Sequence, residues 1–381
     1  MKRIIFFLII IILILIMARL SKPLRQRTPF LKKSILPSPL IPTSPSTNVG
    51  YRIYTVSIVD EKGTSHQITT NIWYPTDASS SSFTYTTVKN KLRNGVIASN
   101  VAQDAPVKKS SSPYPLILFL HGDLMCGTQS LFLTEYIARQ GYMVAAPDFL
   151  DNATICRSDS REKSARMLEV LRELRTMKNA DSEAILSLLS TNQRVPGTSR
   201  IIDALLQFNN TQKHALFNTI DENAIGLIGH SYGGITILGL IGAHPNNTYY
   251  DKRIKSAVIL SGGVFPFQDN LSHITLPLMV MQGDDEDDLD LLNSTPRKKV
   301  YDDAQGAKFF LKLSGGVHGS FYNQICASYG SIAECQQSSE FSRVINSYST
   351  AFLNYYLKND ETSKTTLQRS DPLLKQYEKN F

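Results

Sequence analysis

The sequence lacks an excess of basic charge once its first 33 residues are set aside. Eight of the 40 Lys and Arg residues lie in residues 1–33, which contain no acid. The rest of the chain therefore contains 32 basic and 33 acidic residues. A nucleic-acid surface needs clustered positive charge, and the body of this chain does not supply it. We therefore predict no nucleic-acid partner.

The chain also lacks a long apolar run at its start. Residues 4–17 are fourteen apolar residues, which is the length of a signal-peptide core and short for a membrane span. No clear small-residue cleavage site lies near Ala18, and six basic residues follow between positions 19 and 33, which argues against simple export. We expect export, either secreted or periplasmic or tethered to the membrane by residues 1–20; cytoplasmic exposure is the alternative.

Cysteine is scarce, with four residues, Cys126, Cys156, Cys326 and Cys335, that allow three pairings. Cys326 and Cys335 flank a short polar loop, so we expect a local disulfide there. Cys126 and Cys156 would then join two loops near the site described below. Disulfides would favour export, whereas four unpaired buried thiols are the alternative.

No internal repeat occurs, and no metal-ligand spacing links His121 or His230 to cysteines or acids. We expect neither a metal nor a cofactor; the oligomeric state is left open. Residues 21–48 are rich in Pro, Ser and Thr, which predicts a flexible spacer. A single folded domain is expected over 49–360 and a polar tail over 361–381.

The domain begins with a predicted hairpin and continues as alternating strands and helices, which indicates an α/β fold with a mostly parallel sheet and helices on both faces. Residues 76–112 are predicted to be a surface excursion. The interval 149–220 predicts a helical insertion, either a lid or a solvent-facing addition. Strands are predicted at 51–60, 66–74, 115–120, 142–146, 224–228, 254–260, 276–281 and 308–313, and helices at 131–139, 161–178, 181–189, 200–208 and 235–241.

The most informative run is GHSYGG at residues 229–234, which directly follows the apolar run 224–228. A strand that ends in Gly-x-Ser-x-Gly and leads straight into a helix is typical of a nucleophile elbow. The run therefore predicts Ser231 as a nucleophile. The backbone N–H of Tyr232 would be one donor to the oxyanion.

A serine nucleophile needs a base and an acid. His318 lies in the glycine-rich loop GGVHGS, directly after a predicted strand, and is expected to be the base. The acid is expected in the run GDDEDD at 283–288, because the strand before it ends in Ser261 and two glycines. Asp287 is preferred, with Glu286 and Asp285 as alternatives.

The second oxyanion donor is expected to be the N–H of Asp123, which follows the strand at 115–120. A charged carboxylate beside a developing oxyanion would oppose it, so the Asp123 side chain is expected to point outward, toward a Lys or Arg. His121 and His230 are interpreted as structural neighbours of the glycines.

Several segments resemble the α/β-hydrolase superfamily and, within it, the platelet-activating-factor acetylhydrolase isoform II family and bacterial dienelactone-hydrolase-like esterases. The resemblance covers residues 51–357. Its segments are NIWYP at 71–75, PLILFLHG at 115–122, GYMVAAPD at 141–148, IIDAL at 201–205, the elbow and the histidine loop. It implies an α/β-hydrolase fold and ester hydrolysis.

Two departures limit the resemblance. The acetylhydrolase acid lies where this chain has Ser261, so the acid position is closer to that of the polyester hydrolases and cutinases, and Asp123 stands where the family has an apolar residue. We predict a serine hydrolase that cleaves carboxylic esters, small or lipid, through an acyl-enzyme. A non-catalytic binding protein of this fold at the cell envelope and a serine peptidase or amidase are the alternatives.

Overall fold

The computed structural model describes residues 47–86, 96–150, 194–286 and 295–381. The predicted leader, nearly all of the spacer, and the helices predicted at 161–178 and 181–189 lie outside these ranges. No helix within them is long and apolar enough to cross a membrane.

Eleven strands of the described residues form one sheet. Its spatial order is β11-β10-β9-β8-β7-β5-β6-β2-β1-β4-β3. The strands are β1 Asn48–Val59, β2 Ser65–Thr76, β3 Ser81–Thr86, β4 Val96–Gln103, β5 Tyr114–Leu120, β6 Met143–Pro147, β7 Ile220–His230, β8 Ile254–Leu260, β9 Leu278–Gly283, β10 Lys308–Leu313 and β11 Leu374–Asn380. The six neighbouring strands from β6 to β10 pair in parallel, and β1, β2 and β11 pair antiparallel.

Helices cover both faces of this sheet, which confirms the predicted α/β class. One face packs against α2, α3 and α4, and the other against α1, α5, α6 and α7. The helices are α1 Leu131–Arg139, α2 Arg194–Asn210, α3 Tyr232–Leu238, α4 Lys299–Asp303, α5 Ile332–Ser338, α6 Glu340–Leu357 and α7 Lys364–Gln368.

The central strand β5 shows why the parallel strands lack polar alternation. Leu116, Leu118 and Leu120 lie in the core on one face, while Ile117 and Phe119 lie in the core on the other. A strand buried on both faces needs apolar residues at every position, since successive side chains point to opposite sides. The continuous apolar runs in the sequence therefore mark the middle of the sheet.

Two segments differ from expectation. The predicted surface excursion contains β3 and β4, which pair antiparallel with each other, and β4 also pairs with β1. The predicted polar tail contains α7 and β11, which extends the sheet beyond β10. Both segments lie at sheet edges, where fewer apolar residues are buried, so their hydrophobic pattern is weak.

A disulfide joins Cys326 to Cys335, which confirms the expected local bridge. Cys126 is disulfide-bonded as well. Cys156, its predicted partner, lies outside the described residues.

Glu135 on α1 is a buried acid away from the predicted site. Ser99 Oγ donates a hydrogen bond of 2.8 Å to Glu135 Oε2, and the Tyr85 side chain also interacts with the carboxyl group. Burial raises the pKa of Glu135 to about 7, against the opposing effects of Ser99, Tyr85 and Arg139. The folded state therefore binds this proton more tightly than the unfolded state, so ionising Glu135 costs stability as the pH rises from about 4.5 to about 7.

Glu135→Gln should therefore raise the free energy of unfolding at pH 8 by up to about 3 kcal/mol, with the gain vanishing near pH 4.5. Urea denaturation at both pH values checks this, with the exposed Glu361→Gln as control. An equal change at pH 4.5 and pH 8 would contradict the account.

Candidate active site

The elbow is built by glycines on both sides of Ser231. Ser231 has φ 54° and ψ −116°, a conformation that residues with side chains rarely adopt. A Cβ on Gly229 would lie 2.5 Å from the carbonyl oxygen of Gly233, and a Cβ on Gly233 would lie 1.9 Å from that of Leu120. Only glycine therefore allows β7 to turn directly into α3 this close to the end of β5.

His318 begins a short 3-10 turn, His318–Phe321, after β10. Its loop packs tightly against the end of β9, since a Cβ on Gly283 would lie 2.3 Å from the carbonyl oxygen of Gly316. The backbone N–H of Asp285 also donates to that oxygen at 3.0 Å. The histidine loop and the acidic run are therefore fixed to each other.

Glu286 is the acid that lies against His318. Its side chain is fully buried, and its Oε2 lies 3.6 Å from His318 Nδ1. This distance is longer than a hydrogen bond and within the range of an ion pair. Nδ1 is the nitrogen that an orienting acid must contact if Nε2 is to act on a serine.

Three further groups hold the Glu286 carboxylate. The N–H of Gly283 donates to Oε1 at 2.7 Å, and the hydroxyl of Ser261 donates to Oε2. Arg297 Nη1 lies 3.4 Å from Oε2. Burial raises the pKa of Glu286, but His318, Arg297 and Ser261 together outweigh it and hold the pKa below its usual value. The buried carboxylate is therefore charged at neutral pH.

The other acids of the run stand differently. Asp285 is exposed, and Asp284 Oδ1 lies 2.6 Å from Lys375 Nζ. Asp287, preferred from the sequence, lies outside the described residues and stays a prediction. Of the described acids in the run, Glu286 is the one with a contact to His318.

The expected oxyanion donors lie on two adjoining segments. Tyr232 follows Ser231 at the start of α3, and Asp123 follows Gly122 after β5. The neighbouring N–H of Gly122 is engaged by Gln129 Oε1 at 2.7 Å. The N–H of Leu124 donates to Asp123 Oδ1 at 2.9 Å. One carboxylate oxygen of Asp123 is therefore hydrogen-bonded to the backbone of the next residue.

Arg194, which the sequence did not single out, is fully buried behind these two segments. Its Nη1 donates to the carbonyl oxygen of His121 at 2.7 Å. Its guanidinium lies 4.4 Å from the ring centroid of Tyr232 and 4.9 Å from that of Phe149. No local pattern distinguishes Arg194 from the surface arginines, because only the tertiary fold brings it under the elbow.

His121 and His230 are both buried, as expected of structural neighbours of the glycines. Burial, followed by the charge of Arg194, holds the pKa of His121 well below its usual range. Burial, followed by the facing His318, does the same for the pKa of His230. Both imidazoles are therefore neutral. No group of three potential metal ligands occurs within the described ranges.

A family model and several known proteins are similar to this chain. The family model described as platelet-activating factor acetylhydrolase, isoform II, matches residues 52–380. The platelet-activating factor acetylhydrolase of Cavia porcellus is 25% identical over 296 residues, covering 71% of this chain and 64% of the relative. That of Bos taurus is 25% identical over 192 residues, covering 46% and 41%. The matches thus span less than two thirds of either relative.

Proposed function

We propose that this chain, which belongs to the platelet-activating factor acetylhydrolase isoform II family, is a serine hydrolase that cleaves carboxylic esters through an acyl-enzyme. The observation that carries the proposal is the fully buried side chain of Glu286, whose Oε2 lies 3.6 Å from His318 Nδ1. Both residues follow the C-terminal ends of parallel strands, as Ser231 does. A binding protein does not need a charged carboxylate buried behind a histidine, since such burial costs free energy.

In the proposed reaction, Ser231 Oγ attacks the ester carbonyl while His318 Nε2 takes the hydroxyl proton. The negative charge that develops on the carbonyl oxygen is stabilised by the N–H groups of Tyr232 and Asp123. The imidazolium then gives its proton to the leaving alcohol, which departs. Water attacks the acyl-enzyme by the same steps, which releases the acid and restores Ser231.

We assign the orienting role to Glu286 rather than to Asp287. Glu286 accepts hydrogen bonds from Gly283 and Ser261 on its two oxygens, so its carboxylate has a fixed direction toward His318. The charged form stabilises the imidazolium that forms during the attack. The same assignment gives Ser261, which follows β8, a role without an acid at that position, since its hydroxyl donates to Glu286 in the turn after β9.

The substrate class is proposed from the relatives. Their name states hydrolysis of the acetyl group of platelet-activating factor, and we propose that this chain prefers a short acyl group on an ester of that kind. We also propose export, because the disulfide between Cys326 and Cys335 persists in an oxidising compartment. Membrane contact through the N-terminal segment stays a prediction.

The proposal is tested by a substrate series. We compare kcat/KM for four substrates: platelet-activating factor, p-nitrophenyl acetate, a long-chain p-nitrophenyl ester, and the p-nitroanilide that has the same acyl group as p-nitrophenyl acetate. We expect the acetyl esters to be cleaved fastest and the anilide slowest. Turnover of the anilide above that of the esters would replace the esterase proposal by an amidase, and a preference for the long chain would remove the acyl assignment.

A further inference from the structure

We infer that Gln129 and His230 are positioning residues that hold His318 for the reaction; this rests on the proposed function. Both side chains are buried, and the reaction scheme uses neither. Together they form a chain of three hydrogen bonds that starts at Gly122, next to the proposed oxyanion donor Asp123, and ends on the backbone of His318.

The direction of each hydrogen bond in this chain is fixed. The backbone N–H of Gly122 can only donate, so the atom of Gln129 that it meets at 2.7 Å is the oxygen Oε1. The amide nitrogen Nε2 then donates to His230 Nδ1 at 2.6 Å. His230 therefore carries its proton on Nε2, which donates to the carbonyl oxygen of His318 at 3.2 Å.

The burial of His230 reinforces this tautomer. Burial and the facing His318 keep the pKa of His230 well below its usual range, so the ring carries one proton. With one proton, the imidazole can accept from Gln129 and donate to His318 in a single arrangement. Gln129 thus supplies the donor that the buried Nδ1 needs when the proton lies on Nε2, and it holds the ring in this arrangement.

The backbone around Gln129 is tied to the residues that follow His318. The N–H of Asn323 donates to the carbonyl oxygen of Gln129 at 2.8 Å, and Ser130 Oγ donates to the carbonyl oxygen of Phe321 at 2.8 Å. These contacts fix the end of the 3-10 turn at Phe321 and the following Asn323, while His230 donates to the carbonyl oxygen of His318 at the start of the turn. The catalytic imidazole is therefore positioned through its backbone on one side and through Glu286 on the other.

Loss of the Gln129 amide should remove the donor to His230 Nδ1 and so loosen the hold of His230 on His318. We expect Gln129→Leu to lower kcat by about 10- to 100-fold, since a displacement of about 1 Å in a reacting group has that effect, with KM changed by less than about threefold. Rates are expressed per Ser231 titrated to completion with a fluorophosphonate. The control is Gln336→Leu, which removes a comparable hydrogen bond to the backbone of Phe132 outside the chain of contacts.

Two variants of His230 separate positioning from packing. A glutamine offers one acceptor and one donor as the imidazole does, so His230→Gln should retain most of kcat while His230→Leu should lose as much as Gln129→Leu. Because the two residues act through one bond to His318, the double variant Gln129→Leu/His230→Leu should be no slower than His230→Leu alone. If Gln129→Leu does not fold, the two His230 variants still make the comparison.

The outcomes distinguish the two proposals. If the wild type reacts and Gln129→Leu is as active as Gln336→Leu, the positioning role alone is overturned. The same conclusion follows if the kcat losses of Gln129→Leu and His230→Leu multiply in the double variant. Wild-type protein that neither reacts with fluorophosphonate nor cleaves esters would overturn the proposed function and the positioning role together.

Discussion

Ser231→Ala is expected to lower kcat for p-nitrophenyl acetate by at least about a thousandfold while the protein stays folded. The substitution removes the only atom that the proposed scheme bonds to the acyl group, and the remaining oxyanion donors account for only a small part of the rate enhancement. Initial rates under saturating substrate measure the effect, and thermal unfolding checks the fold.

The matched serine control for this substitution is Ser57→Ala, on the exposed side of β1. It should keep the wild-type rate. A Ser231→Ala protein that retains more than about a tenth of the wild-type kcat would assign the hydrolysis to another group, since removal of a serine nucleophile costs orders of magnitude.

Glu286→Gln is expected to lower kcat by about 10³- to 10⁴-fold with little change in KM. The N–H of Gly283 fixes one side-chain oxygen, so the new amide would keep its oxygen there and present its NH2 group to His318 Nδ1. Nδ1 would then have to accept, the imidazole proton would lie on Nε2, and Nε2 could not take the proton of Ser231.

Two neighbouring substitutions make this result specific. Asp285→Asn changes an exposed acid and should leave kcat within about twofold, as surface changes usually do. Asp287→Asn should behave alike if Glu286 is the orienting acid. A loss of orders of magnitude in Asp287→Asn, with Glu286→Gln near wild type, would return that role to Asp287.

The parallel part of the fold could be predicted from the sequence because its strands are buried on both faces. The predicted segments 254–260 and 308–313 coincide with β8 and β10, and 131–139 coincides with α1. The edge strands were not predictable in the same way. β11 has Lys375 and Lys379 at exposed positions and no buried residue. Its place beside β10 depends on strand pairing, which no local hydrophobic pattern indicates.

The site residues likewise include some that a local sequence pattern predicts and some that it does not. Ser231 and His318 stand in glycine-rich turns after apolar strands, and that local pattern exists in the sequence itself. The choice among Glu286, Asp285 and Asp287 depends on which side chain points inward after Gly283. The backbone dihedral angles of this turn decide that, and the sequence pattern does not specify them. Arg194 and Gln129 have no local signal, since the contacts of Arg194 with His121 and of Gln129 with His230 join segments that are far apart in sequence.

The central claim is that Ser231 is a nucleophile made reactive by His318, and its most direct test is the site of a covalent adduct. Full-length protein is treated with a fluorophosphonate, and its intact mass and peptide map are measured. We predict one phosphonyl group per chain, on Ser231, absent from Ser231→Ala and strongly slowed in Glu286→Gln. An unmodified protein, or an adduct on a different residue, would contradict the claim.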